Sequence, residues 1–247
     1  MKATKENPSF PVKTLAVGAA LVACFVGFAL FLSRPDTVAS PGFQTQEVTL
    51  KNGRTLAVQT REVTVAQWQA CHRAGKCTLE IPAQKAEDDY PATGISYPDA
   101  MQYLNWINAS SQTAWRLPTA AEWQELATEV MPEEPDPIFT DPSLTWASTY
   151  LTDANRTSRA LRPSGSFAST STGVQDLSGN VWEWTSDCYA GASDQGAEID
   201  ITRCPAYIMG GEHEAVMSYL IRDPARGGCA VGAPPAHLGM RLVADVS

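Results

Sequence analysis

Oxygen-bearing groups gather in one short run of this 247-residue chain: Asp176-Leu177-Ser178-Gly179-Asn180-Val181-Trp182-Glu183-Trp184-Thr185-Ser186-Asp187. Ser-Gly-Asn is turn chemistry, and Val-Trp-Glu-Trp reads as a strand leaving the turn. In an extended segment Trp182 and Trp184 share one face and Glu183 takes the other. The carboxylates of Asp176 and Glu183, with carbonyls of the turn, make an oxygen set that suits a hard cation. Two acids flanking a surface hairpin are the plainer alternative.

The sulfur and imidazole groups are few. Of six cysteines, Cys24 lies in an apolar N-terminal stretch. Pairing Cys71 with Cys77, and Cys188 with Cys204, is the simplest connectivity, since each pair brackets a short loop, although the sequence admits others. Cys229 is then left over and reads as a small buried hydrophobe. The three histidines are His72, His213 and His237. No nucleophile elbow, phosphate-binding loop or HExxH pattern is present.

The elements that must carry these residues are short. Residues 47–58 alternate as a hairpin around Lys51-Asn52-Gly53-Arg54, whose Asn-Gly is a tight-turn signal. Three helices are expected at 65–74, 98–108 and 119–130. Thr64 caps the first. Ser96 with Asp99, and Thr119 with Glu122, form capping boxes for the others. Aromatic residues on these helices (Trp68, Tyr103, Trp106, Trp123) read as core. From Trp146 onward the pattern is turns and short strands.

Residues 14–32, TLAVGAALVACFVGFALFL, carry no charge. At ~1.5 Å per residue they span a hydrocarbon core of ~30 Å. Lys2, Lys5 and Lys13 precede them, which places the N-terminus in the cytoplasm. A signal peptide cleaved after Thr37-Val38-Ala39 is the rival reading, but the apolar run is long for one. The expected organisation is a cytoplasmic segment at 1–13, a transmembrane anchor (or uncleaved signal) at 14–32, a linker at 33–46 and a domain at 47–247. That domain would lie outside the membrane, periplasmic in a bacterium, where disulfides form. The net charge is −9, and the first 33 residues hold three of the 18 basic but only one of the 27 acidic residues. So acidic a domain argues against a nucleic-acid partner.

Several motifs fall in a definite order: Arg61-Glu62-Val63-Thr64, Pro91-Ala92-Thr93-Gly94-Ile95-Ser96-Tyr97-Pro98-Asp99-Ala100, Arg116-Leu117-Pro118-Thr119-Ala120-Ala121-Glu122-Trp123, the run from Asp176 to Asp187, Met209-Gly210-Gly211 and Gly239-Met240-Arg241-Leu242. With them the chain resembles the formylglycine-generating enzyme (sulfatase-modifying factor) family. The resemblance implies an α+β domain with little regular secondary structure, distantly like C-type lectins. It also implies a structural calcium ion held by the Asp176 and Glu183 side chains and the Gly179 and Val181 carbonyls.

The family's enzymes oxidise a cysteine of a target sulfatase to formylglycine, and the resemblance implies a pair of copper(I)-binding cysteines. Tyr219 fixes the register, and the two positions hold Ala215 and Leu220. Neither supplies a thiolate, so the copper site and the exchangeable thiol are both missing. The expectation is a divergent, non-catalytic member that binds an exported protein or peptide in the region of 212–219. The alternative is an altered centre built from Met209, His213, Met217 and Cys229. It would serve an oxidoreductase-like protein-modifying or metalloenzyme-maturation factor, or a copper carrier. The four-residue spacing of Met209, His213 and Met217 is interrupted by Gly210-Gly211, which argues against one helical face.

Overall fold

The computed structural model describes residues 42, 44–81, 89–132, 138–144, 147–148, 151, 160–189, 204–212, 215–224 and 237–246. The apolar stretch at 14–32, His213 and Cys229 lie outside them.

Each expected helix is present and is entered through a capping box. Helix α1, Val65–Arg73, starts where the Thr64 hydroxyl accepts the Gln67 amide while Gln67 accepts the Thr64 amide. Helix α2, Tyr97–Ser110, uses Ser96 and Asp99 in the same way. Helix α3, Ala120–Ala127, uses Thr119 and Glu122. These side chains satisfy amides that the first helical turn leaves without partners. In the last turn of α2 the side-chain amide of Asn108 exchanges two hydrogen bonds of 2.8 Å with the Trp115 backbone, holding the following loop.

Strands β1, Thr45–Thr49, and β2, Thr55–Gln59, form the expected hairpin, with Gly53 at φ 84° in its turn. β2 also pairs antiparallel with β7, Val243–Asp245, so the opening and closing strands of the domain share one three-stranded sheet. The second sheet contains β3 (Trp182–Cys188), β4 (Ala206–Gly210), β5 (Val216–Ser218) and β6 (Leu238–Gly239), in the order β5-β4-β3-β6. β6 runs parallel to β3 and the other pairs are antiparallel.

Central β3 is covered on both faces. Trp182 and Trp184 pack with Trp68, Tyr103, Trp106 and Ile107 in one core cluster. Glu183 takes the opposite face as the alternation requires, yet it too is fully buried. That second face meets a cluster of Leu56, Val58, Trp123, Leu126, Val174 and Val243. The hairpin with exposed acids is therefore not what forms.

Both expected disulfides are present. Cys71–Cys77 closes the end of α1, with Cα atoms 5.4 Å apart, and Cys188–Cys204 ties the end of β3 to the start of β4 at 5.7 Å.

Candidate functional site

The turn before β3 is built on two residues in the left-handed region, Asp176 at φ 64° and Asn180 at φ 68°. Asp and Asn tolerate that conformation better than other side-chain-bearing residues. Both spend their side chains on the preceding loop. Asp176 accepts the amides of Gly165 and of Phe167, the latter at 2.8 Å. Asn180 accepts the Arg162 amide at 3.1 Å and donates to the Arg162 carbonyl at 3.2 Å. The turn is thus fixed by backbone capture.

Beyond the turn, Glu183 meets Arg241, and both are fully buried. Arg241 Nη2 lies 2.9 Å from Glu183 Oε1, and its Nε donates to both carboxylate oxygens at 3.1 and 3.2 Å. The indole of Trp123 donates to Glu183 Oε2 at 2.8 Å. Arg241 also donates to the carbonyls of Gln59 at 2.9 Å and Gln175 at 2.7 Å. A further ionisable group, Glu62, is fully buried, and neither of its carboxyl oxygens has a hydrogen-bond partner. Burial pushes the Glu62 carboxyl well above the usual carboxylate range; Asp176 and Glu183 add to this, and Arg241 opposes it. Burial also works against the Arg241 charge, but Glu183, Glu62 and Asp176 outweigh it and raise its pKa.

As arranged, the groups assigned to calcium do not fit that ion, which needs six to eight oxygens free to face it. The carboxylate of Glu183 is engaged by a guanidinium and an indole, and that of Asp176 by two amides. The Gly179 carbonyl accepts the Val181 amide at 2.9 Å. Among the described residues, no three His, Cys, Asp or Glu side chains are arranged to hold a metal ion.

The altered centre does not assemble from its described members either. Met209 on β4 and Met217 on β5 are both buried in the aromatic core. His213 and Cys229 lie outside the described residues. Four-residue spacing is a helical rule, whereas here the two methionines sit on paired antiparallel strands, with the Met209 amide donating to Ala215.

The two positions where the family carries cysteines have opposite fates. Ala215 is fully buried beside β4, whereas Leu220 is 62% exposed in the turn after β5. Tyr219, also exposed, is held by the Tyr97 amide donating to its carbonyl at 3.0 Å. The following Arg222 anchors the segment through Nε and Nη2 bonds of 2.7 and 2.8 Å to buried Asp99. Between α3 and the end of β4 lies a hollow of about 350 Å³, lined by Trp123, Gln124, Thr128, Met131, Met209, Gly211 and Glu212. The backbone beside it passes close to two indoles: a Cβ on Gly210 would stand 2.4 Å from the Trp123 ring, and one on Gly211 2.3 Å from Trp182.

A three-stranded antiparallel sheet, a four-stranded mixed sheet, three capped helices and a buried Glu-Arg pair define an α+β domain of the formylglycine-generating-enzyme type. A family model described as the sulfatase-modifying factor enzyme 1-like domain matches residues 35–246, and the chain belongs to that family. It is 28% identical over 178 residues to a formylglycine-generating enzyme of Mycobacterium tuberculosis, which covers 63% of this chain and 58% of that protein. It is 26% identical over 200 residues to a formylglycine-generating enzyme of Thermomonospora curvata, covering 73% of this chain and 62% of the relative. The chain thus spans less than two thirds of the length of either enzyme. The solved structure of PvdO from Pseudomonas aeruginosa shares the fold, with a TM-score of 0.51 at 17% identity over 83% of this chain and 92% of that one.

Proposed function

We propose that this protein is a membrane-anchored, extracytoplasmic member of its family that binds a protein or peptide partner and does not generate formylglycine. The observation that carries this reading is the replacement of the thiol pair. One position is a core alanine and the other an exposed leucine, so neither can hold copper(I) or exchange with a substrate thiol. A scaffold outlives a lost site readily, because fold and chemistry are separable. What persists at that place is surface: Tyr219 and Leu220 stand exposed on a segment pinned by Asp99 and Arg222. Aromatic and apolar side chains on a rigid segment are suited to anchoring a partner. The anchoring part rests on the uncharged stretch at 14–32 and the lysines before it.

The test has two arms. Purified protein supplied with copper(I), oxygen and a cysteine-containing sulfatase peptide is expected to consume no oxygen and to form no aldehyde. Cross-linking and capture from native membranes is expected to retain a defined protein that is lost when Leu220 is replaced by Asp. Aldehyde formation at a rate above the protein-free control would overturn the non-catalytic reading.

A further inference from the structure

Arg241 is surrounded by more oxygen than one ion pair needs. Both Glu183 carboxylate oxygens and the carbonyls of Gln59 and Gln175 lie 2.7 to 3.2 Å from its guanidinium nitrogens, and the residue has no exposed surface. Carboxylate plus backbone carbonyl is the donor mix of a hard-cation site. Asp176 and Glu62 add their fields without bonding to it. The shell is assembled from distant parts of the chain: the end of β2, the loop before the turn, strand β3 and the segment before β7.

We propose that the Arg241 guanidinium is the tethered cation of this domain, standing at Glu183 where a calcium ion would otherwise be required, so that the fold is ordered by its own side chain and not by an external metal. Guanidinium cannot be deprotonated at any working pH, so it does not vacate the position by titration. A dication arriving at Glu183 would have to displace charge-assisted hydrogen bonds and then sit beside a fixed positive charge. Removing the guanidinium leaves the Glu183 and Asp176 carboxylates buried with no counter-charge, and that vacancy favours a divalent ion.

The experiment uses the full chain in detergent, stripped with chelator and melted with and without calcium, alongside Arg241→Gln and Glu183→Gln. The parent is expected to show no calcium-dependent rise in melting temperature that depends on Glu183. Arg241→Gln is expected to melt lower, and calcium is expected to recover part of the loss where sodium at equal ionic strength does not. A rise in the parent that disappears in Glu183→Gln overturns the proposal, and so does an Arg241→Gln protein as stable as the parent. Should Arg241→Gln not fold, calcium titration of the parent, followed by melting and by equilibrium dialysis, decides alone: saturable uptake coupled to a higher melting temperature overturns the proposal, and its absence supports it.

Discussion

The indole N–H of Trp123 donates to Glu183 Oε2 at 2.8 Å, tying α3 to the central strand β3 inside the core. The capping box of Thr119 and Glu122 fixes where α3 begins, and that start places Trp123 on the buried face. Trp123→Phe keeps most of the apolar surface and removes the donor. A hydrogen bond to a charged group contributes about 1.5–3 kcal/mol. Urea unfolding should therefore show a loss of that size, with an unchanged dependence on denaturant concentration.

Glu62 predicts an unusual pH dependence. Its folded pKa is raised, first by burial and then by Asp176 and Glu183, above the unfolded value of about 4.3. The folded state therefore holds a proton that the unfolded state releases. The stability it contributes is fully present below the unfolded pKa and is lost as pH rises toward the folded pKa. Asp99 and Glu122 act in the opposite sense. Burial pushes each up, but Arg222 and Ser96 hold Asp99 below its ordinary value, and Arg116 and Thr119 do the same for Glu122. Their contributions are present above the unfolded pKa and are lost as pH falls through the folded one. Melting temperature across pH 3 to 10 should rise and then decline, and Glu62→Gln should flatten the declining limb alone. A declining limb of equal slope in Glu62→Gln would remove the claim.

The local parts of this fold were legible because their causes are local. Ser96 with Asp99, Thr119 with Glu122, and Asn52-Gly53 announce helix starts and a hairpin within four residues. The two disulfides followed from short loops. The buried charge cluster did not, because its members come from Glu62, Asp176, Glu183 and Arg241, and only tertiary packing brings them together. A signal existed in the Gly-Met-Arg-Leu-Val run, where an arginine inside an apolar strand-like segment requires a buried anion. Reading Asp176 and Glu183 as a pair aimed at one ion missed that each already has its own donors: two backbone amides for one, Arg241 and Trp123 for the other. Met209 and Met217 lie on paired strands, on either side of the break that Gly210-Gly211 puts into their spacing.

Gly210, at the end of β4, and Gly211 after it let the backbone pass close to Trp123 and Trp182. Gly211→Ala would drive a methyl group into the indole ring, which can move only by disturbing the core. Overpacking of this kind costs about 1–3 kcal/mol. Chemical denaturation should register that loss, and near-ultraviolet circular dichroism should change because Trp182 must shift.

The Cys188–Cys204 bridge joins the end of β3 to the segment just before its partner strand β4, and it closes a loop with a sequence separation of 16. A loop of that size carries about 3 kcal/mol of closure entropy. The double replacement Cys188→Ser/Cys204→Ser should lose a comparable amount at equilibrium. Because β3 and β4 retain their other pairings, the far-ultraviolet spectrum should stay the same. The Cys71–Cys77 bridge closes a separation of only 6 and should contribute less.

Leu220 and Tyr219 separate surface function from stability. Leu220 is the most exposed large apolar side chain among the described residues, and Tyr219 precedes it at 38% exposure. Replacing an exposed residue away from caps and ion pairs changes stability by no more than about 0.5 kcal/mol. Tyr219→Ala and Leu220→Asp should therefore melt within a degree or two of the parent, on the scale of about 2–4 °C per kcal/mol for a domain of this size. Under the binding reading, both should lower retention of the captured partner by tenfold or more, since exposed aromatic and apolar anchors dominate interface energy. Arg222 supplies the control. Replacing it by Ala unpins the segment from Asp99 and should weaken capture while also lowering stability. If Leu220→Asp retains the partner as well as the parent does, the binding surface lies elsewhere on the domain.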